Sequence, residues 1–252
     1  MRILLIGHGR MGQLVERLAP QHGCEIAAVA DVHVPVAEAM SGAGPVDVAI
    51  DFSHADAVVA NVTAVAARKI NLVIGTTGWQ VRETTVRSIA DRAGIGVLAS
   101  ANFALGMQVF RYLVEEAARA FATLPDIGAW VHEKHHVGKK DAPSGTALML
   151  QAAMQQAGYA NPVNMSSVRA GALPGAHEVG FDGVGETVVL THEVRDRSVF
   201  AHGALEAAQW LAGRHGWFTM RDVIPGLRPD GSSPTPKVTP RSWRTPSAGS
   251  SR

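Results

Sequence analysis

The stretch Ile3-Leu4-Leu5-Ile6-Gly7-His8-Gly9-Arg10-Met11-Gly12 decides the fold. Its four consecutive apolar residues read as a strand buried on both faces, as in a parallel sheet covered by helices. They run into Gly7-x-Gly9-x-x-Gly12, which opens a helical segment, Met11–Ala19. In that setting the glycines allow a tight turn, close approach of a pyrophosphate and close packing of helix on strand, with the phosphate charge at the helix N-terminus. A carboxylate is wanted about 20 residues further on, to accept hydrogen bonds from a ribose hydroxyl. Asp31 stands there, at the end of a second apolar run, Ile26–Ala30. Gly7, His8, Gly9, Arg10, Met11, Gly12 and Asp31 are therefore candidate contacts of a dinucleotide.

Strand–helix alternation continues through the first hundred residues, with strands expected at Val46–Ile50, Asn71–Ile74 and Gly96–Ala99 and helices at Ala55–Ala67 and Val81–Arg92. The segment from Asp31 to Pro45 offers only a weak helix. Such alternation predicts a Rossmann-type doubly wound α/β sheet. Gly75-Thr76-Thr77 would follow its fourth strand and Ser100-Ala101-Asn102-Phe103 its fifth, at the carboxyl ends where open α/β sheets bind ligands. Turn residues are common there in any case, so the residues alone read equally well as plain loops.

After Asn102 the pattern becomes α+β. A helix is expected over Leu105–Ala122, a strand over Ile127–Val131 and a helix over Gly145–Gln156. Antiparallel strands follow at Glu186–Glu193 and Ser198–Ala201, then a helix at Ala204–Ala212. We expect a dinucleotide domain over residues 1–103, rejoined by 197–225, enclosing a second domain over 104–196. Pro225 to Arg252 holds six of the thirteen prolines and six serines. Such a tail buries too little surface to offset its ordering entropy, so 226–252 is expected to be disordered.

Composition narrows the class. A chain of 252 residues, 46% of them hydrophobic, can bury one large or two modest cores. A net charge of +1 gives no field that would favour nucleic acid or a membrane surface. Cys24 is the only cysteine, which fits a reducing compartment. No apolar run approaches the roughly 18 residues of a membrane span. A cytoplasmic protein without nucleic-acid or membrane partners is expected.

Chemistry concentrates in His132-Glu133-Lys134-His135-His136-Val137-Gly138-Lys139-Lys140-Asp141-Ala142-Pro143-Ser144-Gly145-Thr146. His132 to His136 matches H-E-x-x-H, which binds zinc only on a helix. The preceding run reads as a strand, on which the two histidines would stand about 13 Å apart, too far to share an ion. The other reading is an anion-binding, proton-donating site. His135, His136 and Lys139 supply positive charge and a titratable proton. Pro143 and Ser144 look like a helix start whose free N–H groups at Gly145 and Thr146 could hold a carboxylate. The plain alternative is a solvated loop before a capped helix.

The segment Glu133-x-His135-His136-x-x-Lys139-x-Asp141-Ala142-Pro143-Ser144-Gly145-Thr146-Ala147 resembles the signature of the dihydrodipicolinate reductase family. Further matches occur in family order: Gly9-Arg10-Met11-Gly12, Asp51-Phe52-Ser53, Val73 to Gly78, Ala101-Asn102-Phe103 and Phe200-Ala201-x-Gly203-Ala204-Leu205. The resemblance covers roughly residues 2–224. It implies reduction of the dihydropyridine-type dicarboxylate formed from 4-hydroxy-tetrahydrodipicolinate, in diaminopimelate and lysine biosynthesis. By the same resemblance, His135 is the proton donor and Lys139 the second catalytic cation, while His136, Gly145 and Thr146 contact the substrate carboxylates. The residues from Gly7 to Gly12, Asp31, Gly75 to Thr77 and Ser100 to Phe103 line the cofactor, NADH or NADPH. No metal is expected. The 104–196 domain assembles a homotetramer. The competing readings are another Rossmann-type dehydrogenase and a non-catalytic cofactor-binding regulator.

Overall fold

The computed structural model describes residues 1–224 and Leu227. The tail expected to be disordered, 226–252, therefore lies outside the described residues apart from Leu227. The first sheet contains β1 (Arg2–Ile6), β2 (Glu25–Ala30), β3 (Val48–Asp51), β4 (Asn71–Ile74), β5 (Gly96–Ala99) and β10 (Gly216–Phe218). Its order is β10-β5-β4-β3-β1-β2 and every neighbouring pair is parallel.

Alternation along β1 shows how helices come to lie on both faces. Ile3 and Leu5 join the core built with α1 (Arg10–Leu18) and α7 (Ser198–Leu211). Leu4 and Ile6 join the opposite core, with α2 (Val36–Ala39), α3 (Val58–Ala66) and α4 (Glu83–Ala93). All four side chains are essentially inaccessible. The sheet is thus the doubly wound one expected, with its order reversing at β1 and β3, the switch point beside which ligands bind.

The second sheet has the order β7-β6-β8-β9, with β6 (Gly128–His135), β7 (Val163–Arg169), β8 (Gly175–Asp182) and β9 (Thr187–Val194). The β6–β7 pair is parallel and the other two pairs are antiparallel. One face packs on α5 (Leu105–Phe121) and α6 (Gly145–Gln156), through Met107, Phe110, Val114, Leu150 and Met154 against Val131, Val179 and Phe181. On β6 the inward positions are Ala129, Val131, Glu133 and His135. One strand face therefore changes along its length from core to chemistry.

One expected strand is corrected. Ser198–Ala201 forms the first turn of α7. Its β-branched and aromatic residues suit a strand, but the apolar positions continue at helical spacing through Ala204, Leu205, Ala208 and Leu211, which are buried together. The strands β7, β8 and β10 were not expected, and β6 runs four residues past Val131. No helix among the described residues is long and apolar enough to cross a membrane. Cys24 is buried.

Candidate active site

Two cavities lie along the carboxyl ends of the parallel strands. The first, of about 680 Å³, is lined by Gly7, His8 and Gly9 after β1, Asp31 to His33 after β2, and Phe52 to His54 after β3. Gly7 has φ +89°, and a Cβ there would sit 2.5 Å from the Phe52 carbonyl oxygen. A Cβ on Gly12 would sit 2.1 Å from the Gly7 carbonyl oxygen, so helix and loop could not close on each other. At Gly9, by contrast, a Cβ would meet nothing within 4 Å. Gly9 is also the N-cap of α1 and offers no side-chain acceptor, which leaves the helix's first N–H groups free of a side-chain partner. Two glycines are thus required by packing, and the one between them faces open space at the positive end of a helix.

Asp31 stands at the rim of this cavity. Its Oδ1 accepts the N–H groups of His33 (2.8 Å) and Val34 (3.0 Å), which lower its pKa. Arg10 is exposed at the first helical position, Gly12 packs beneath the loop, and His8 pairs with Glu16 at 2.7 Å. Buried Asp51 ties the neighbouring loops together, accepting Ser53 N–H (2.8 Å), Thr76 O–H (2.9 Å) and the Asn61 amide (2.9 Å). The Thr76 side chain is therefore committed to Asp51, and Gly75 lies against the Phe52 ring. Phe103, 2% exposed, packs edge-on to Phe52 in the core. Of the seven candidates after β4 and β5, Thr77, Ser100, Ala101 and Asn102 reach a cavity wall; Gly75, Thr76 and Phe103 do not line the cavities described here.

That wall belongs to the second cavity, of about 730 Å³, which runs from these loops to His135, Lys139, Ser144, Gly145 and Thr146. Arg111 and Arg221 also line it, both bonded to Glu115. A smaller space of about 490 Å³ opens on the other side of His135 and Lys139, bounded by Met11, His136 and Arg197. The Arg197 guanidinium reaches 3.4 Å from His136 Nε2. Ser144 caps α6, accepting the Ala147 N–H at 3.2 Å. The Lys139 ammonium donates to both Asp141 oxygens, at 2.7 and 3.0 Å, and this bond lowers the Asp141 pKa.

Behind His135 lies a polar cluster whose full membership no motif announced. Glu133 is 1% exposed, and its Oε1 accepts Ser144 N–H (2.9 Å), Ser167 O–H (2.7 Å) and Arg169 Nη2–H (2.7 Å). Burial alone would raise this carboxyl, but the bonds from Ser144, Arg169 and Ser167 outweigh it and bring the pKa down to about 2. Its other oxygen lies 3.3 Å from His135 Nδ1 and 3.6 Å from His177 Nε2. Burial lowers the pKa of His135, partly opposed by Glu133. Burial, and then the neighbouring His135, push His177 down to about 4. The histidines of the H-E-x-x-H match sit on and just beyond an extended strand: His132 bonds Ser166 at 2.7 Å, while His136 faces Arg197.

The chain resembles known proteins over most of its length. The family models for the N-terminus and the C-terminus of dihydrodipicolinate reductase match residues 1–103 and 106–224. The 4-hydroxy-tetrahydrodipicolinate reductase of Stenotrophomonas maltophilia (strain K279a) is 40% identical over 243 residues, covering 89% of this chain and 98% of that protein. That of Methanoregula boonei (strain DSM 21154 / JCM 14090 / 6A8) is 36% identical, covering 86% and 94%. A dipicolinate-bound dihydrodipicolinate reductase from Paenisporosarcina sp. TG-14 shares the fold with a TM-score of 0.69 at 22% identity, over 87% of this chain and 97% of that one. With both of its halves matched in order, the chain belongs to the dihydrodipicolinate reductase family.

Proposed function

We propose that this protein is an NAD(P)H-dependent 4-hydroxy-tetrahydrodipicolinate reductase. It reduces the derived dihydropyridine-type dicarboxylate to tetrahydrodipicolinate, a step of diaminopimelate and lysine biosynthesis. The observation that carries the reading is one cavity bringing His135 and Lys139 together with the start of α6, at the carboxyl ends of β4 and β5. A cofactor-binding regulator would need neither the proton donor nor the second anion site.

The residues present fit a dinucleotide. The open position at Gly9 and the uncapped start of α1 suit the pyrophosphate, Asp31 suits a ribose, and Thr77 and Ser100 to Asn102 would flank the nicotinamide. When bound, the reduced dinucleotide supplies the hydride. The first turn of α6 at Gly145 and Thr146 offers helix N-terminal N–H groups to one carboxylate, which would take the place Asp141 holds at the Gly145 N–H, and His136 and Lys139 supply polar and positive groups for the charge of the dianion. Adding hydride requires a proton as well, which His135 delivers. Burial keeps that ring largely neutral in the free protein. A dianion arriving beside it favours the imidazolium, so the proton becomes available with the substrate. Lys139, released from Asp141 toward the substrate, stabilises negative charge through the transition state.

We further assign residues 104–196 to substrate binding and to assembly of a cytoplasmic homotetramer. The second sheet supports this assembly, since Val168 and Val189 remain substantially exposed on its face away from α5 and α6.

Coupling the purified protein to the upstream synthase and following absorbance loss from NADH or NADPH tests the activity. Replacing His135 with Gln is expected to lower kcat by about 10²–10⁴-fold while dinucleotide binding survives. A variant turning over at the parent rate would take the proton-donor role away from His135.

A further inference from the structure

We propose that Glu133, His135 and His177 form a binding site for one transition-metal cation of the zinc class, and that filling it stops turnover. Three neighbouring positions on one sheet face build the site. Glu133 and His135 stand two residues apart on β6 and so point the same way, and His177 on β8 is the direct cross-strand partner of Glu133. Each contributes one donor atom, and the three atoms lie within 4.8 Å of one another. The separations from Glu133 Oε2 are 3.3 Å to His135 Nδ1 and 3.6 Å to His177 Nε2. Ligands about 2.0–2.1 Å from a tetrahedral zinc ion stand roughly 3.3–3.4 Å apart, so the cluster already approaches that geometry.

Two further observations separate this cluster from an ordinary buried hydrogen-bond network. Glu133 Oε2 and His135 Nδ1 are buried and have no hydrogen-bond partner among the described residues. Orphaned groups of this kind are rare in folded proteins, and one cation between them would satisfy both. The other Glu133 oxygen is saturated by Ser144, Ser167 and Arg169, which fixes the carboxylate so that its free oxygen faces the two rings. His177 lines none of the three cavities described above, and its Nε2 also meets the Ser144 hydroxyl at 3.3 Å. One carboxylate with two imidazoles is a zinc-type donor set, and magnesium, which prefers oxygen donors and retained waters, is not suited to it. Arg169 and Lys139 oppose a cation, so the site is regulatory in strength rather than a permanent metal centre.

The consequence rests on the proposed role of His135. With a cation on Nδ1, the ring cannot take up the second proton that it must deliver. The carboxylate contacts at Gly145 and Thr146 and the groove at Gly7 to Gly12 are untouched. Inhibition is therefore expected in kcat, with KM for the dicarboxylate nearly unchanged.

The test uses the full chain freed of metal with EDTA. Competition against a chromophoric chelator, without substrate, should show one Zn²⁺ bound per chain and no competition by Mg²⁺. Added Zn²⁺ should lower kcat by roughly tenfold or more, reversibly with EDTA. His177→Phe and the milder His177→Gln should both keep turnover and weaken Zn²⁺ binding and inhibition by roughly tenfold or more. No binding, equal binding in the folded His177 variants, or inhibition expressed as a raised KM would each overturn the proposal. Binding lost with His177 in a protein that fails to reduce the dicarboxylate would uphold the metal site and refute the reductase reading. Turnover with no His177-dependent binding would do the reverse.

Discussion

Asp31 carries the choice between the two nicotinamide cofactors. Its carboxylate accepts two backbone N–H groups that hold it ionised, and it lines the first cavity with Val32 and His33. The lining contains three histidines, His8, His33 and His54, and neither arginine nor lysine. A 2′-phosphate would meet a negative charge there, with the Arg10 side chain of the glycine loop, outside the lining, as the candidate to offset it. Higher kcat/KM with NADH than with NADPH is therefore expected. Asp31→Ser should move the ratio toward NADPH by roughly tenfold. Initial rates with both cofactors in the two proteins decide this. A parent preferring NADPH, or an unchanged ratio in the variant, would leave Asp31 without the role.

Helix α6 shows how one short element divides stability from recognition. Ser144 closes its N-terminus by accepting Ala147 N–H, and the Ser144 N–H itself goes to Glu133. Gly145 and Thr146, on the first turn, line the cavity beside Ser144. Ser144→Ala should cost about 1 kcal/mol of stability. Thr146→Val keeps the shape and should instead weaken inhibition by pyridine-2,6-dicarboxylate, by roughly tenfold if one charge-assisted hydrogen bond of about 1.5–3 kcal/mol is lost. Thermal melts and inhibition constants for both variants read the two effects separately, and an unchanged constant in Thr146→Val would move the carboxylate elsewhere. This helix was legible in the sequence because its cap stands beside a proline and a long apolar stretch. The parallel strands were legible for a similar reason, since burial on both faces leaves them almost wholly apolar. Strand β7 was not, because Asn164, Ser166 and Ser167 alternate with few apolar residues on a strand with much exposed surface. In the candidate site, the run of charges made His135 and Lys139 candidates, but no local pattern could tell that Thr76 would turn to Asp51 or Phe103 into the core. Arg169 and His177 reach Glu133 from strands β7 and β8. Pairing between strands that distant in sequence leaves no local pattern to read.

The same buried cluster sets how the whole fold responds to acid. His177 carries an ordinary pKa of 6.5 when unfolded and about 4 when folded, because burial disfavours its charged form. Between those values the unfolded chain binds the extra proton, so stability is fully present above pH 6.5 and is lost as pH falls toward 4. The size of that loss is roughly 3 kcal/mol, a large share of the 5–15 kcal/mol typical of a folded domain. His135 and His192, also lowered mainly by burial, act in the same direction. Glu133 titrates in a separate window. Its folded pKa of about 2 lies below the ordinary 4.5, so its contribution is present above pH 4.5 and disappears as pH falls toward 2. Urea unfolding from pH 7.5 to 4, with EDTA present to keep the cluster free of metal, should therefore show a stability loss that begins well above the carboxylate range. In His177→Phe that loss should shrink by roughly 3 kcal/mol, while the steeper fall below pH 4.5 remains. Parallel pH profiles for the two proteins would mean that His177 is solvated in the fold, and that the buried triangle around Glu133 is looser than its distances imply.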